Sequence, residues 1–472
     1  MSLTQELTQA IASLPSRPIS RATTEAAKRA LADTVACMLA GASEESIEIL
    51  RRMARTHGGN GRSSAIGRPT GLDPRTAALI NGTAGHSLDY DDVLLLMPGH
   101  PSVAVLPAVL AIAEDMDASG EEFLRAYIEG VEICGRFGDP IRVTHYKRGW
   151  HATGTIGAFG ALAGVAGLLK LDPRMLTNAL GILTSLLGGV QRNFGTMTKP
   201  LHAGQGAANA VWAGLAAREG FTADPRILES PGGFFEVFNG SVPQTFGSLG
   251  SLLAPSVFEE PGLALKRFPC NYALHRNVDA FSEVMSSNGL QASDLERVEC
   301  LLPPGETRPI MRARPVTGLE AKFSLEYVLA AVALDGSLGF STFTDEAVRR
   351  PDILSFLPKI EKREDEECAG ATGSRMKGGI GQGCTRVIVT TRDGRRLMSE
   401  RAHPKGAPED PLSWEEIRVK FDDCVRHGGF DSGQAGPLFD WVQTLERQPS
   451  ISTLTDAMRQ ERAEPAHMGT KR

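Results

Sequence analysis

One stretch limits the folds open to this chain more than any other. From Ala152 to Leu169 it reads ATGTIGAFGALAGVAGLL, with no charge over about the length that spans a bilayer. Gly, Ala and Thr dominate, and large apolar side chains are few. Small residues let helix backbones approach closely, so the run reads as a buried helix in a tight bundle rather than a membrane span. The 51 glycines of the whole chain fit the same picture. Hydrophobic content of 42% and charged content of 22% are those of a globular protein. The net charge of −6 argues against a nucleic-acid-binding surface, which needs a basic excess.

Helical patterns surround this run. A helix is expected at 26–39, N-capped by Thr23 or Thr24 and stopped by Gly41. Another spans 45–57, and a third opens at Asp73-Pro74 with proline in the first helical position. Further helices are expected at 103–115, 120–138, 172–189 and 202–220. No strand alternation interrupts them, so the first domain reads as all-α. Beyond Gly220 the texture changes to Gly-, Ser- and Pro-rich segments such as Ser230-Pro231-Gly232-Gly233. Strands are then expected at 298–302, 385–391 and 395–399, the last two joined by Asp393-Gly394, a strong hairpin signal. Helices at 320–334 and 345–356 lie among them, and helical pattern returns at 414–427 and 436–445. The expected architecture is mainly α. An all-helical domain covers 1–265, a smaller α+β domain 266–404, helices returning to the first domain 405–458, and a disordered tail 459–472.

Seven cysteines are scattered singly, without a Cys-x-x-Cys, so neither a zinc site nor a disulfide framework is expected. The start, MSLTQELTQAIASLPS, lacks the basic and apolar regions of a signal peptide, and the expectation is a cytoplasmic protein.

Polar chemistry concentrates at junctions between loops and helices. HSLDYDDVLLLMPGHPSVA (86–104) packs Asp89, Asp91 and Asp92 with His86 and His100. Three carboxylates so close repel unless water, a cation or an acid/base task keeps them. His100 stands where a loop meets a helix start, a place that favours a bound anion. His151 precedes the Gly/Ala-rich helix in the same way, against the alternative of a capping or core histidine. In TMTKPLHAG (196–204), Lys199 and His202 are expected just ahead of a helix, with Lys199 held extended by Pro200. KRFPCNYALH (266–275) gathers Lys266, Arg267, Cys270 and His275 at the expected domain junction, where small-molecule clefts form. The Cys270 thiol reads as a buried bystander. Glu320, Lys322 and Tyr327 start a helix. Glu320 and Lys322 share no helical face and need partners elsewhere. Gly370 to Gly383 is glycine-rich but lacks the Gly-Lys-Ser/Thr ending of a phosphate loop, which leaves a mobile loop carrying Arg375 and Lys377.

With those residues in view, the chain resembles the MmgE/PrpD family, which includes 2-methylcitrate dehydratase, cis-aconitate decarboxylase and iminodisuccinate epimerase. The matching segments are NGTAGHSLDYDDVLLLMPGHPSVAVLPAVLAIAE, GWHATGTIGAFGA, FGTMTKPLHAGQGAANAVWAGLAAREGF, KRFPCNYALH and EAKFSLEYVLAAVALDG. The resemblance implies a large helical domain closed by a smaller α+β lid, a homodimer, and no metal or organic cofactor. It carries active-site roles onto Asp89, His100, His151, Lys199, His275 and Tyr327. Val93-Leu94-Leu95-Leu96 stands where the decarboxylase branch has a threonine, and such an apolar wall suits a less polar substrate than a tricarboxylate.

The expected function is a cofactor-independent, 2-methylcitrate dehydratase-like lyase acting at the α/β carbons of a di- or tricarboxylate. The alternatives are an epimerase or isomerase of an iminodisuccinate-like diacid, a cis-aconitate-type decarboxylase, and a catalytically silent homologue that only binds an organic acid. Abstracting a proton beside a carboxylate needs cations on the carboxylate and a base on the carbon. Lys199 and His275, with His202, Lys266, Arg267 and Lys322, are the expected substrate clamp. His100 and His151 are the proton donor and acceptor, Asp89 orients one imidazole, and Tyr327 is a second acid.

Overall fold

The helices begin where short polar side chains satisfy the free N–H groups of a first turn. Ser2, Ser20, Asp73, Ser119 and Asp172 each accept a hydrogen bond from the backbone three residues on. The computed structural model describes residues 1–369 and 383–460 and divides into two compact units. Arg375, Lys377 and the tail beyond 460 lie outside the described residues.

The first unit holds Met1–Arg192, Lys199–Leu263 and the described chain from Ser413 on. Its helices are α1 (Leu3–Ser13), α2 (Arg21–Gly41), α3 (Glu45–His57), α4 (Pro74–His86), α5 (Ser102–Asp115), α6 (Gly120–Gly138), α7 (Arg142–Lys147), α8 (Ala152–Leu169), α9 (Pro173–Leu186) and α10 (Thr198–Arg218). No strand longer than an isolated bridge occurs among its described residues. The uncharged run is α8. It is long and apolar enough to cross a membrane, yet 94% of it is buried, with α5 and α6 packed along it. Glycine makes that packing feasible. A Cβ at Gly160 would lie 2.2 Å from Cys134 Sγ and 2.4 Å from the Gly130 carbonyl oxygen.

Two helix starts differ from expectation. Ser20, not Thr23 or Thr24, caps α2, and the Thr23 N–H donates to its Oγ at 2.9 Å. Helix α10 begins at Thr198 rather than 202, so Lys199 is helical instead of extended. Pro200 falls in the first turn, where its missing N–H costs nothing.

The second unit holds Asn193–Thr198 and the described part of Ala264–Leu412. Its sheet runs β2 (Ile360–Glu364), β1 (Leu295–Leu302), β3 (Thr385–Thr391), β4 (Arg396–Arg401), parallel between β1 and β2 and antiparallel elsewhere. Strand β2 was not expected. Its sequence, IEKRE, is charged because it forms an edge, with only Ile360 fully buried. Helices α11 (His275–Ser287), α12 (Gly318–Ala321), α13 (Leu325–Asp335), α14 (Asp345–Val348), α15 (Pro351–Phe356) and α16 (Glu366–Ala369) accompany it. The helix expected at 320–334 is interrupted before α13, where Ser324 Oγ accepts the Tyr327 N–H, and the one at 345–356 is interrupted before Pro351. Phe281 of α11 and Val328 of α13 join Val298, Cys300, Val387 and Val389 of the sheet in a buried core.

After this unit come α17 (Trp414–His427), α18 (Ser432–Gln443) and α19 (Ser452–Arg459). Helix α17 packs on α2, where Lys420 Nζ lies 2.6 Å from Asp33 Oδ1. All seven cysteines are free and buried.

Candidate active site

Helix α4 ends on His86, and the chain turns back through Asp89, whose φ of +52° lies in the left-handed region that aspartate tolerates better than most residues. The turn sends the three carboxylates to three different partners. Asp89 Oδ2 accepts from Lys199 Nζ at 2.7 Å. Asp91 sets its two oxygens 3.0 and 2.9 Å from His86 Nδ1, and its Oδ2 is 3.2 Å from His100 Nδ1. Asp92 accepts from the hydroxyl and backbone N–H of Ser102, and Ser102 Oγ is 2.6 Å from the Tyr127 hydroxyl. All three acids are buried. A buried carboxylate persists only with such partners.

Four imidazoles gather at this turn. His86 lies 4.5 Å from His100 and 5.5 Å from His151, ring centre to ring centre, and His151 Nδ1 is 3.1 Å from His202 Nδ1. His100 is held from both sides. Its backbone N–H donates to Thr153 Oγ1 at 3.1 Å, and its ring Nδ1 is 2.8 Å from the Asp92 carbonyl oxygen. His151 occupies the N-cap position of α8, but its side chain makes no capping bond. Lys199 and His202 project from the first turns of α10. Behind them, Gly189 has a φ of +115°, and a Cβ there would come within 3.0 Å of the His202 ring. Only glycine fits.

Burial sets the charges. It lowers His86 to about 3, with Lys199 and His100 acting the same way and Asp91 opposing. His151 is held well below the usual imidazole range, first by burial and then by His86 and Lys199. His202 falls to about 4 through burial and Lys199. Burial also pushes on Asp91, upward, but the His100 and His86 imidazoles outweigh it and hold Asp91 well down. For Asp92, burial dominates and raises it well above the carboxylate range. Asp91 thus favours its ionised form and Asp92 its protonated form more than an ordinary carboxylate does, while His86, His151 and His202 favour the neutral imidazole.

Of the expected residues, Asp89, His100, His151, Lys199 and His202 come together in the first unit. The carboxylate facing the imidazoles most closely is Asp91, while Asp89 pairs with Lys199 and stands 4.0 Å from His100 Nε2. Lys266, Arg267, His275, Lys322 and Tyr327 belong to the second unit. Lys322 Nζ donates to the Pro269 carbonyl at 2.9 Å and lies over the Phe343 ring. His275 sits between the rings of Phe268 and Tyr272, with Nε2 3.4 Å from the Cys270 carbonyl oxygen. Lys266 is fully buried. Arg267 is exposed and pairs with Asp279 at 3.5 Å, while the Tyr327 hydroxyl donates to the Thr342 carbonyl. Glu320, read as needing a distant partner, has Arg312 at 3.2 Å.

His86 and Asp91 are the members of the cluster that the expected site residues omit. Their signal was present in the same stretch as a histidine and an aspartate five positions apart. With His100 they bring three potential donor atoms within 4.8 Å of one another.

Known proteins resemble this chain over most of its length. The chain is 27% identical to the human cis-aconitate decarboxylase, over 97% of this chain and 95% of that one. It is 28% identical to the mouse enzyme of that name, over 84% and 80%. A cis-aconitate decarboxylase of Aspergillus terreus is 26% identical over 97% and 96%. The family model for the MmgE/PrpD N-terminal domain matches residues 5–246, and that for the C-terminal domain matches 268–435. With most of its length matched in order by these two domains, the chain belongs to the MmgE/PrpD family.

Proposed function

We propose that this protein is a cofactor-independent lyase that moves protons at carbons next to a carboxylate of a di- or tricarboxylic acid, and that decarboxylation of a cis-aconitate-like acid is the reaction to test first. The observation that carries the reading is the cluster of buried, uncharged imidazoles beside the Lys199–Asp89 pair. A protein that merely bound an organic acid would need cations. Neutral imidazoles add no charge toward a carboxylate, but they take up and release protons. The relatives named cis-aconitate decarboxylases favour loss of carbon dioxide over loss of water. In that reaction the electron pair of the breaking C–C bond moves into the neighbouring alkene, and an acid delivers a proton to the far alkene carbon. Lys199 stabilises the charge on a substrate carboxylate, and His100 and His151 exchange the proton. The same groups would serve dehydration, with a β-hydroxyl leaving, or epimerisation, with none.

One side chain of the apolar run 93–96 is held away by packing. Leu96 turns toward α6, where its Cδ1 would lie 3.3 Å from a Cβ on Gly135. It is engaged in packing.

Proton NMR in deuterium oxide with cis-aconitate, citrate, 2-methylcitrate, malate, tartrate and iminodiacids tests the reading. Loss of cis-aconitate with release of carbon dioxide and one deuterium in the alkene product is expected. An alkene formed from a hydroxy acid would replace decarboxylation by dehydration, and exchange without net loss would replace it by epimerisation. Silence across the panel would sink the enzymatic reading in favour of an organic-acid binder. The homodimer implied by the resemblance belongs to the same proposal, and light scattering at the mass of a single chain would remove it.

A further inference from the structure

We propose that Asp91 is the positioning residue of the cluster, fixing the proton of two imidazoles at once, and that His86 is thereby a further proton acceptor through its Nε2. The inference rests on the acid/base reading of the site. Asp91 and His86 have fully buried side chains, and both carboxylate oxygens lie within hydrogen-bond reach of His86 Nδ1. The same carboxylate reaches His100 Nδ1 through Oδ2, and His100 Nδ1 is still closer to the Asp92 carbonyl oxygen. Carboxylates and carbonyls only accept hydrogen bonds, so Nδ1 of each ring carries the proton. With the proton fixed on Nδ1, the lone pair of the neutral form of either ring resides on Nε2.

At His86 this has an unusual result. Its Nε2 is buried without a hydrogen-bond partner, in a ring stacked on His151 at an interplanar angle of 24° and 4.5 Å from His100. A histidine kept for packing ordinarily has its buried nitrogens paired, because a bare acceptor away from water is costly. A basic nitrogen held bare among other imidazoles is instead what proton transfer requires. When Nε2 takes up a proton, the donor is a protonated neighbouring imidazole, whose N–H bond breaks as the new N–H bond forms, and the His86 imidazolium is stabilised by Asp91 across the existing Nδ1–H bond.

Two readouts test this. The first needs no substrate. In protein labelled with ¹⁵N-histidine, long-range ¹H–¹⁵N spectra report which nitrogen of each ring is protonated, and His86→Gln and His100→Gln assign the signals. Both rings are expected as the Nδ1–H form, and Asp91→Asn is expected to move at least one toward Nε2–H. An Nε2–H form of His86 in the unmodified protein would overturn the proposal. The second readout uses the substrate found in the acid panel. Asp91→Asn should lower kcat by about 10²- to 10⁴-fold with KM changed less than about threefold, and Asp91→Glu should recover part of the loss. Turnover of Asp91→Asn within about threefold of the parent would also overturn it. Should Asp91→Asn not fold, the tautomers of the unmodified protein and the kinetics of Asp91→Glu decide. A silent acid panel removes the reaction but leaves the tautomer result readable, so the two failures are distinct.

Discussion

His151 stands at the start of α8 without using its ring as a cap, and its Nδ1 lies 3.1 Å from His202 Nδ1. On the proposed acid/base reading, the ring serves proton transfer rather than the fold. His151→Gln is therefore expected to lower turnover by about 10²- to 10⁴-fold while shifting the melting midpoint by less than about 4 °C. Unfolding of the variant would instead assign the ring to the core. At this scale the sequence reading found His100, His151 and Lys199 because each lies near a helix start, a position with its own signature. His86 and Asp91 were named in the same polar stretch but given no role. Five positions apart across a helix end, they obey neither the helical nor the strand period, and only the left-handed turn at Asp89 folds one back onto the other.

Secondary-structure elements were legible where their ends are marked by side chains. Helix α17 matches its expected span, 414–427, because Ser413 and Glu416 form a reciprocal cap. Strand β2 was not legible, because an edge strand with charged side chains lacks the alternation that identifies a half-buried one. Helix α17 also carries a buried ion pair, Lys420 with Asp33 of α2, and Lys420 Nζ donates to the Tyr90 carbonyl at 2.7 Å, inside the aspartate turn. Burial alone would lower the lysine, but Asp33 raises it well above its usual range. Removing one partner strands the other charge. Lys420→Met should destabilise the protein by about 3–5 kcal/mol in urea unfolding, and adding Asp33→Asn should recover part of that. Equal stability of the single and double variants would remove the pair from the account.

Across the whole molecule, acid is the expected weak point. Burial lowers His86 to about 3 and His145 and His202 to about 4, with His151 well below its usual range. Between pH 6.5 and about 4 the unfolded chain takes up protons that the folded chain refuses, so this contribution is complete above pH 6.5 and lost as pH falls. Asp92, raised well above the carboxylate range, and Glu129, raised to about 7, act in the opposite sense, as does Asp279 to a smaller extent. Four imidazoles outweigh them. The melting temperature should fall between pH 7 and pH 5, and a flat or rising profile in thermal scans would mean that the buried imidazoles are charged in the fold.

The return of α17 to α2 has a consequence for synthesis. Asp33 leaves the ribosome early, and its counter-charge, Lys420, emerges only after the entire second unit has been translated. Until then the nascent helical unit carries an acidic side chain in a place built to exclude water, without the ammonium that neutralises it. Its last step of assembly therefore waits for the helices that follow the second unit, and a chain released before them would present an unfinished helical surface to whatever protein-quality machinery surrounds it.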